Sequence, residues 1–344
     1  MPKPLVSIII VNWNGKRLLK DCFTTLFNIT YKNFEVIFVD NGSIDGSIAE
    51  IKKLGLKKED IKKIKVVKNK TNLGFAEGNN VGYEVAKGEL VLFLNNDTVI
   101  EKHFLEPLVK VLLSDPKIAG VQPKILAYPT TAKIDSVGSY LLSTGFLYHP
   151  GHNKVDSHKF ETQDEIFTMK GACMLFKKDI LDKIGVFETS YFAYFEETDM
   201  CHRVWLAGYK NVYTPKSIIY HKGGETAKRL DNSFLIYHSY KNRIYTYLKN
   251  LEAENVFKIV PLHILLCELA SFAYLLKSQT KQAKAIQKAI WWNIKNWRNT
   301  IVARKKAQQL RTVSDSIFLP KIMRSVKPSY YYHLFASALA GYKD

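Results

Sequence analysis

Four short apolar runs punctuate the first hundred residues, and each gives way to asparagine or aspartate. LVSIIIV (5–11) is a continuous, β-branched run, the pattern of a strand buried on both faces. FEVIFVD (34–40), IKVVKN (64–69) and ELVLFLN (89–95) repeat it. Helical spacing fills Lys16 to Phe27 and 75–86. This alternation predicts an α/β chain with a doubly wound parallel sheet. Such sheets bind ligands beyond the carboxyl ends of their strands. Asn12 and Asn14, Asp40 and Asn41, and Asn95, Asn96 and Asp97 follow those ends, so one shared pocket is expected.

Between about 115 and 225 the pattern loosens. TMKGACMLFKKDIL (168–181) reads as a strand and then a helix, with Gly171 and Ala172 where backbone could approach a ligand or simply pack tightly. FEETDMCHRVWLAG (195–208) reads as a helix stopped by Gly208. SIIYHKGGET (217–226) is a strand entering a glycine turn, with His221 at its end.

The last third changes character. VFKIVPLHILLCELASFAYLLK (256–277) is nearly long enough to cross a bilayer, but Pro261, His263 and Glu268 interrupt it. It reads as an interfacial or buried helix rather than a span. Beyond it Ile286, Ile290, Ile294, Trp297 and Ile301 recur at helical spacing, with Lys281, Lys284, Lys288 and Lys295 opposite them. A basic amphipathic helix with tryptophans resembles a membrane-surface helix, and the alternative is a helix packed on the core.

Composition narrows the partners. The 344 residues carry 50 Lys and Arg against 32 Asp and Glu, a formal charge of +18, which points to an anionic partner. Cys22, Cys173, Cys201 and Cys267 are scattered without metal-ligand spacing and are expected to be reduced. Against this basic background Glu196, Glu197 and Asp199 crowd into four positions. They suit the first turn of a helix, or they do chemistry on a cation or a hydroxyl.

The motifs together resemble the inverting glycosyltransferases of family 2 with the GT-A fold, and within them the rhamnosyltransferase-like enzymes of cell-surface polysaccharide assembly. The matching stretches, in order, are VSIIIVNWNG (6–15), VDNGSIDGS (39–47), NLGFAEGNNVG (72–82), LFLNNDT (92–98), MKGACMLFKKDIL (169–181), YFEETDMCHRVWLAGY (194–209) and IIYHKGG (218–224). The resemblance implies a catalytic domain over 1–230, a mixed sheet flanked by helices, and extends to YHSYKNRIYTYLKN (237–250); the rest of 231–344 is read from its own pattern as a helical, basic, membrane-associating region. It implies transfer from a dTDP- or UDP-sugar to a glycan or lipid-linked acceptor. Asp40 would then accept the pyrimidine N3–H, with Val11, Asn12, Asn14, Asn41 and Ser43 around base and ribose and Asn72 and Asn79 bordering the donor. Asn95, Asn96 and Asp97 occupy the DXD position, where only the last is acidic here. Asp97 and His221 would hold Mg2+ or Mn2+, ions that suit oxygen ligands and retained water. Gly171 and Ala172 would adjoin sugar or acceptor. The base falls on Glu197, the second of the acidic pair, with Glu196 and Asp199 as alternatives; Asp199 also stands four residues before Arg203, the spacing of a helical ion pair.

Two other classes fit less well. A nucleotidyltransferase needs a glycine-rich basic loop after the first strand, and VNWNGKRLL has one glycine. A nucleic-acid binder needs bases and aromatics at the strand ends, where this chain puts Asn, Asp and Glu, so no nucleic-acid partner is expected. The expected location is cytoplasmic, peripheral on the inner face of the cell membrane.

Overall fold

The computed structural model describes residues 3–129, 132–225, 230–327 and 329–331. The early apolar runs form β1 (Val6–Asn12), β2 (Phe34–Asn41), β3 (Ile64–Asn69) and β4 (Leu90–Leu94). Helices α1 (Lys16–Phe27), α2 (Ser47–Lys53), α3 (Lys58–Ile61) and α4 (Gly74–Glu84) join them. The strands lie in the order β3-β2-β1-β4, all parallel. The winding direction therefore reverses between β1 and β4, which opens a crevice at their carboxyl ends. β1 is apolar throughout because both its faces are covered. Ile8 and Ile10 meet Leu19, Phe23 and Leu26 of α1, while Ile9 lies in the opposite layer with Ala76 of α4.

The second half of the sheet is mixed, as the resemblance implied. The elements are β5 (Thr98–Ile100), α5 (Leu105–Leu113), β6 (Ile118–Ala127), β7 (Ile134–Ser136), β8 (Tyr140–Leu141), β9 (Leu147–Tyr148), β10 (Asp164–Ile166), β11 (Cys173–Lys177), α6 (Lys178–Ile184), α7 (Glu196–Leu206) and β12 (Lys210–His221). β11 inserts antiparallel between β4 and β6, and β12 returns parallel to β6. The sheet is mixed, in the order β10-β12-β6-β11-β4-β1-β2-β3. β6 is a central strand despite Pro123, which lies past the last β11 pairing at Val121 and before the β7 pairing at Ile125. The neighbouring Lys124 is buried with its ammonium on Asp156 at 2.9 Å and on Glu161.

After β12 the described elements are helical: α8 (Asn232–Asn250), α9 (Ala253–Leu276), α10 (Thr280–Lys295), α11 (Trp297–Gln309) and α12 (Asp315–Ile322). Their inner faces complete the core of the layer that contains α7. Tyr247, Leu251, Ile259 and Phe318 cluster with Met200 and Trp205 of α7, and the Phe318 ring stacks on Trp205 at 6.0 Å. A smaller cluster of Ile236, Tyr240, Cys267, Ala270, Ile286 and Ala289 ties α8, α9 and α10 together. The expected apolar stripe of α10 is split: Ile286 is in that cluster, whereas Ile294 and Trp297 are exposed. The four cysteines are free and buried. Thr226 of the 217–226 segment and residues 332–344 of the expected C-terminal region lie outside the described residues.

Candidate functional site

Register aligns the strand ends. Asn12 pairs with Asp40 across β1 and β2, and Asn12 is fully buried. Its Nδ2 donates to Ser43 Oγ (3.1 Å), and its Oδ1 accepts from Asn96 Nδ2 (2.7 Å). Ser43 Oγ also accepts the Asn14 N–H (2.9 Å), and Asn14 Oδ1 accepts the Ile44 N–H (2.8 Å). A Cβ on Gly15 would fall 2.4 Å from both Asn12 Oδ1 and Asn96 Nδ2, so a side chain here would push that pair apart. These amides wire the ends of β1, β2 and β4 into one floor.

Asn41 is a strut. Its Oδ1 accepts from Asn69 Nδ2 (3.0 Å) and the Leu73 N–H (3.1 Å), and its Nδ2 donates to Asn72 Oδ1 (3.0 Å) and Gly74 O (2.9 Å). That saturates the Asn41 amide, so its contribution to a ligand is the loop it holds. Asn72 Oδ1 takes the Gly74 N–H as well (2.9 Å). Asn79 is buried and spends its Nδ2 on Phe75 O (2.9 Å), while the half-buried Val11 packs against Gly78 of α4. Asp40 is different. It is buried, and its Oδ1 has no hydrogen-bond partner among the described residues.

Asp97, just past β4, meets His221 at the end of β12, where β5 pairs with β12. His221 Nε2 lies 3.2 Å from Asp97 Oδ1 but off hydrogen-bond geometry, so that buried oxygen has no directed partner. On its other side His221 Nδ1 donates to Asp135 Oδ2 at 2.8 Å, and Lys170 Nζ donates to Asp135 Oδ1 at 2.9 Å. Burial works against a charge on His221, but the two flanking carboxylates outweigh it and lift its pKa to about 9. Burial likewise pushes Asp97 and Asp135 up, and the cations beside them reverse this, His221 at Asp97 and Lys170 and His221 at Asp135; both end below the usual carboxylate range. Asp135 has no signature in the sequence: it sits in a three-residue strand inside the loose stretch.

The donor set suits a divalent cation. Two ligands of one small ion, each about 2.1 Å from it, stand roughly 3 Å apart, near the 3.2 Å seen here. Asp135 occupies the second imidazole nitrogen, the usual way a ligating histidine is oriented. Among the described residues no group of three His, Cys, Asp or Glu encloses a metal, so a cation at Asp97 and His221 would draw the rest of its shell from ligand and water.

The acidic helix closes the other side. Phe192, Tyr194 and Phe195 have φ of 61°, 67° and 71°, a left-handed turn that delivers the chain into α7. Glu196 is buried and Glu197 half-buried in the first turn, where helix N–H groups favour carboxylates. Thr168 Oγ1 donates to Thr198 Oγ1 (3.2 Å), placing that turn beside residues 168–172. Ala172 is buried, and its carbonyl accepts the Asn95 N–H (3.0 Å). At Gly171 an added Cβ would make only an ordinary 3.4 Å contact with Phe75, so packing does not demand glycine there.

Asp199 leaves the list of bases. It is fully buried, its Oδ2 accepts from Arg203 Nε (3.0 Å), and its Oδ1 accepts from Lys249 Nζ (2.8 Å) and Asn250 Nδ2 (2.8 Å). Burial would raise its pKa, but Lys249 and Arg203 hold it far below the usual range. A carboxylate so paired is a poor proton acceptor and has no path to a hydroxyl.

Asp40, Asn12, Asn96, Asp97 and His221 thus form one row across β2, β1, β4 and β12. Lys170 and Thr168 connect that row to the first turn of α7.

Residues 7–185 match the family described as Glycosyl transferase family 2. The uncharacterised protein y4gI of Sinorhizobium fredii is 30% identical over 234 residues, 66% of this chain and 25% of y4gI. The low-salt glycan biosynthesis hexosyltransferase Agl10 of Haloferax volcanii is 26% identical over 249 residues, 69% of this chain and 74% of Agl10. The chain spans from a quarter to under half of the length of the first curated relatives it matches. The mannosyltransferase PcManGT of Pyrobaculum calidifontis, solved with GDP-Man and Mn2+, superposes with a TM-score of 0.56 at 16% identity, covering 86% of this chain and 88% of that one. The mixed sheet flanked by helices is the GT-A fold of these structures, and with more than half its length matched the chain belongs to glycosyl transferase family 2.

Proposed function

We propose that the protein transfers a hexose or deoxyhexose such as rhamnose, with inversion, from a dTDP- or UDP-sugar to a hydroxyl of a glycan or lipid-linked acceptor in cell-surface polysaccharide synthesis. The carrying observation is that Asp40 and Asp97, at the ends of β2 and β4, each keep a buried carboxylate oxygen without a hydrogen bond among the described residues. Buried charge of that kind is costly and is retained where a ligand supplies the partner.

Asp40 Oδ1 accepts the ring N–H of the base. Uracil and thymine carry one at N3, guanine at N1, and cytosine and adenine carry none. PcManGT holds GDP-Man, so guanine belongs in the test. Asp97 and His221 would hold Mg2+ or Mn2+, which when bound would neutralise the charge of the leaving diphosphate. Asp135 fixes the imidazole orientation. Glu197 Oε takes the proton of the acceptor hydroxyl as its oxygen bonds to the anomeric carbon, and the carbon–oxygen bond to the diphosphate breaks on the opposite face. Glu196 orients the acceptor or supports the helix start. Gly171 and Ala172 supply backbone beside the sugar.

A thermal-shift series tests this. UDP, dTDP or GDP should raise the melting temperature only with Mn2+ present, and CDP and ADP should not. Asp40→Asn should abolish the discrimination. No response to any nucleoside diphosphate would end the proposal.

A further inference from the structure

The outer surface of α9 carries an apolar stripe that no other described residue covers. Leu265, Leu269, Phe272 and Leu276 are 55–72% exposed, with Leu262 at 38% beside them. Their spacing of three and four keeps them on one side of the helix. The opposite side is committed to the protein: Ile259, Val260, Cys267, Ala270 and Tyr274 are buried there, and His263 Nδ1 donates to Thr144 O (2.9 Å).

α10 packs antiparallel beside α9, joined by Gln287 Nε2 donating to Glu268 Oε2 (2.6 Å). Its exposed residues include Lys281, Lys284, Lys288, Trp291 and Lys295, with Arg298 following in α11. Across 253–309 ten Lys and Arg face two Asp and Glu. An apolar stripe alone would suit a second copy of the chain or a bilayer. The flanking lysines decide between them, because a self-interface would bring like charges together, whereas anionic headgroups would neutralise them.

We propose that α9 and α10 form the face by which the protein lies on an anionic membrane, with the α9 stripe at the acyl boundary and the α10 lysines among the headgroups. The helix lies on the bilayer and does not cross it, although it is 24 residues long and holds an 18-residue stretch of mean hydropathy 1.9. Crossing would strip Ile259, Cys267 and Tyr274 from the core and leave His263 in hydrocarbon. This placement stands independently of the donor and the reaction.

The test is co-flotation of the full chain with vesicles of 70% phosphatidylcholine and 30% phosphatidylglycerol, and with phosphatidylcholine alone. Binding should appear on the anionic vesicles and fall at least about tenfold in 0.5 M salt. The pair Leu265→Ser with Phe272→Ser should lose about tenfold or more. Lys284→Glu with Lys288→Glu, both fully on the surface, should weaken binding comparably with no change in melting temperature. No flotation of the wild-type chain, equal binding to both vesicles, or a concentration-dependent dimer abolished by the Leu265/Phe272 pair without any vesicle binding would each overturn the proposal.

Discussion

Two sets of buried carboxylates are treated in opposite ways. Where α7 meets α8, Asp199 has Arg203, Lys249 and Asn250 on its two oxygens. At the carboxyl ends of β2 and β4, Asp40 and Asp97 each leave an oxygen without a hydrogen bond. The first arrangement returns the desolvation cost as fold stability. In the second the His221 imidazole offsets the charge of Asp97, and among the described residues one oxygen of each acid stays open to a ligand. Burial and charge are alike in the two regions, so partner count separates the acid that builds from the acid that works.

Substitutions can break or sharpen that contrast. The largest effect is expected at Asp97→Ala: transfer should drop about 10³-fold or more with an unchanged denaturant midpoint. A stability loss matching that of Asp199→Ala would erase the distinction. Glu197→Gln should lower kcat by roughly 10²–10⁴-fold while Mn2+-dependent nucleotide binding persists, measured by single turnover and calorimetry. Asp199→Ala strands Lys249 and Arg203 and should cost about 3–5 kcal/mol in urea unfolding, with residual activity following the folded fraction. Asp135→Asn should weaken Mn2+ affinity about 10–100-fold and leave the kcat at saturating metal largely intact. The smallest effect concerns His202. Burial, only partly offset by Asp315, lowers its pKa to about 4, so the folded protein keeps it neutral where the unfolded chain takes a proton below about 6.5. Its contribution is therefore whole above pH 6.5 and fades as pH falls toward 4, by up to about 1.4 kcal/mol per pH unit, and His202→Leu should flatten that part of the stability curve.

The sequence made β1 to β4 legible because strands covered on both faces read as unbroken apolar runs, and their Asn and Asp endings marked the crevice. β6 was hidden: a central strand carrying Pro123 and Lys124 looks like a loop until Asp156 and Glu161 are seen to neutralise the lysine. Asp135 was hidden with it, since its role depends on strand β7 being folded back against β6 beside His221. The acidic helix was legible as a cluster but not in its division of labour, because the partners of Asp199 on α8 lie some fifty residues away. Helical spacing placed Ile286 and Ile294 on one face of α10, yet α8 and α9 cover only the first of them.

The left-handed turn before α7 has a consequence for how such an enzyme could be changed. Phe192 O accepts the N–H groups of Phe75 (2.6 Å) and Ala76 (3.2 Å), and a Cβ at Gly74 would strike that same oxygen at 2.4 Å. The Asn41 amide grips Gly74 O from the other side. The segment proposed to border the nucleotide and the segment that leads into Glu196 and Glu197 are thus buttoned together at one carbonyl. Grafting a foreign acceptor module onto this scaffold would have to carry residues 72–76 along with it, or the two halves of the active centre would fall out of alignment.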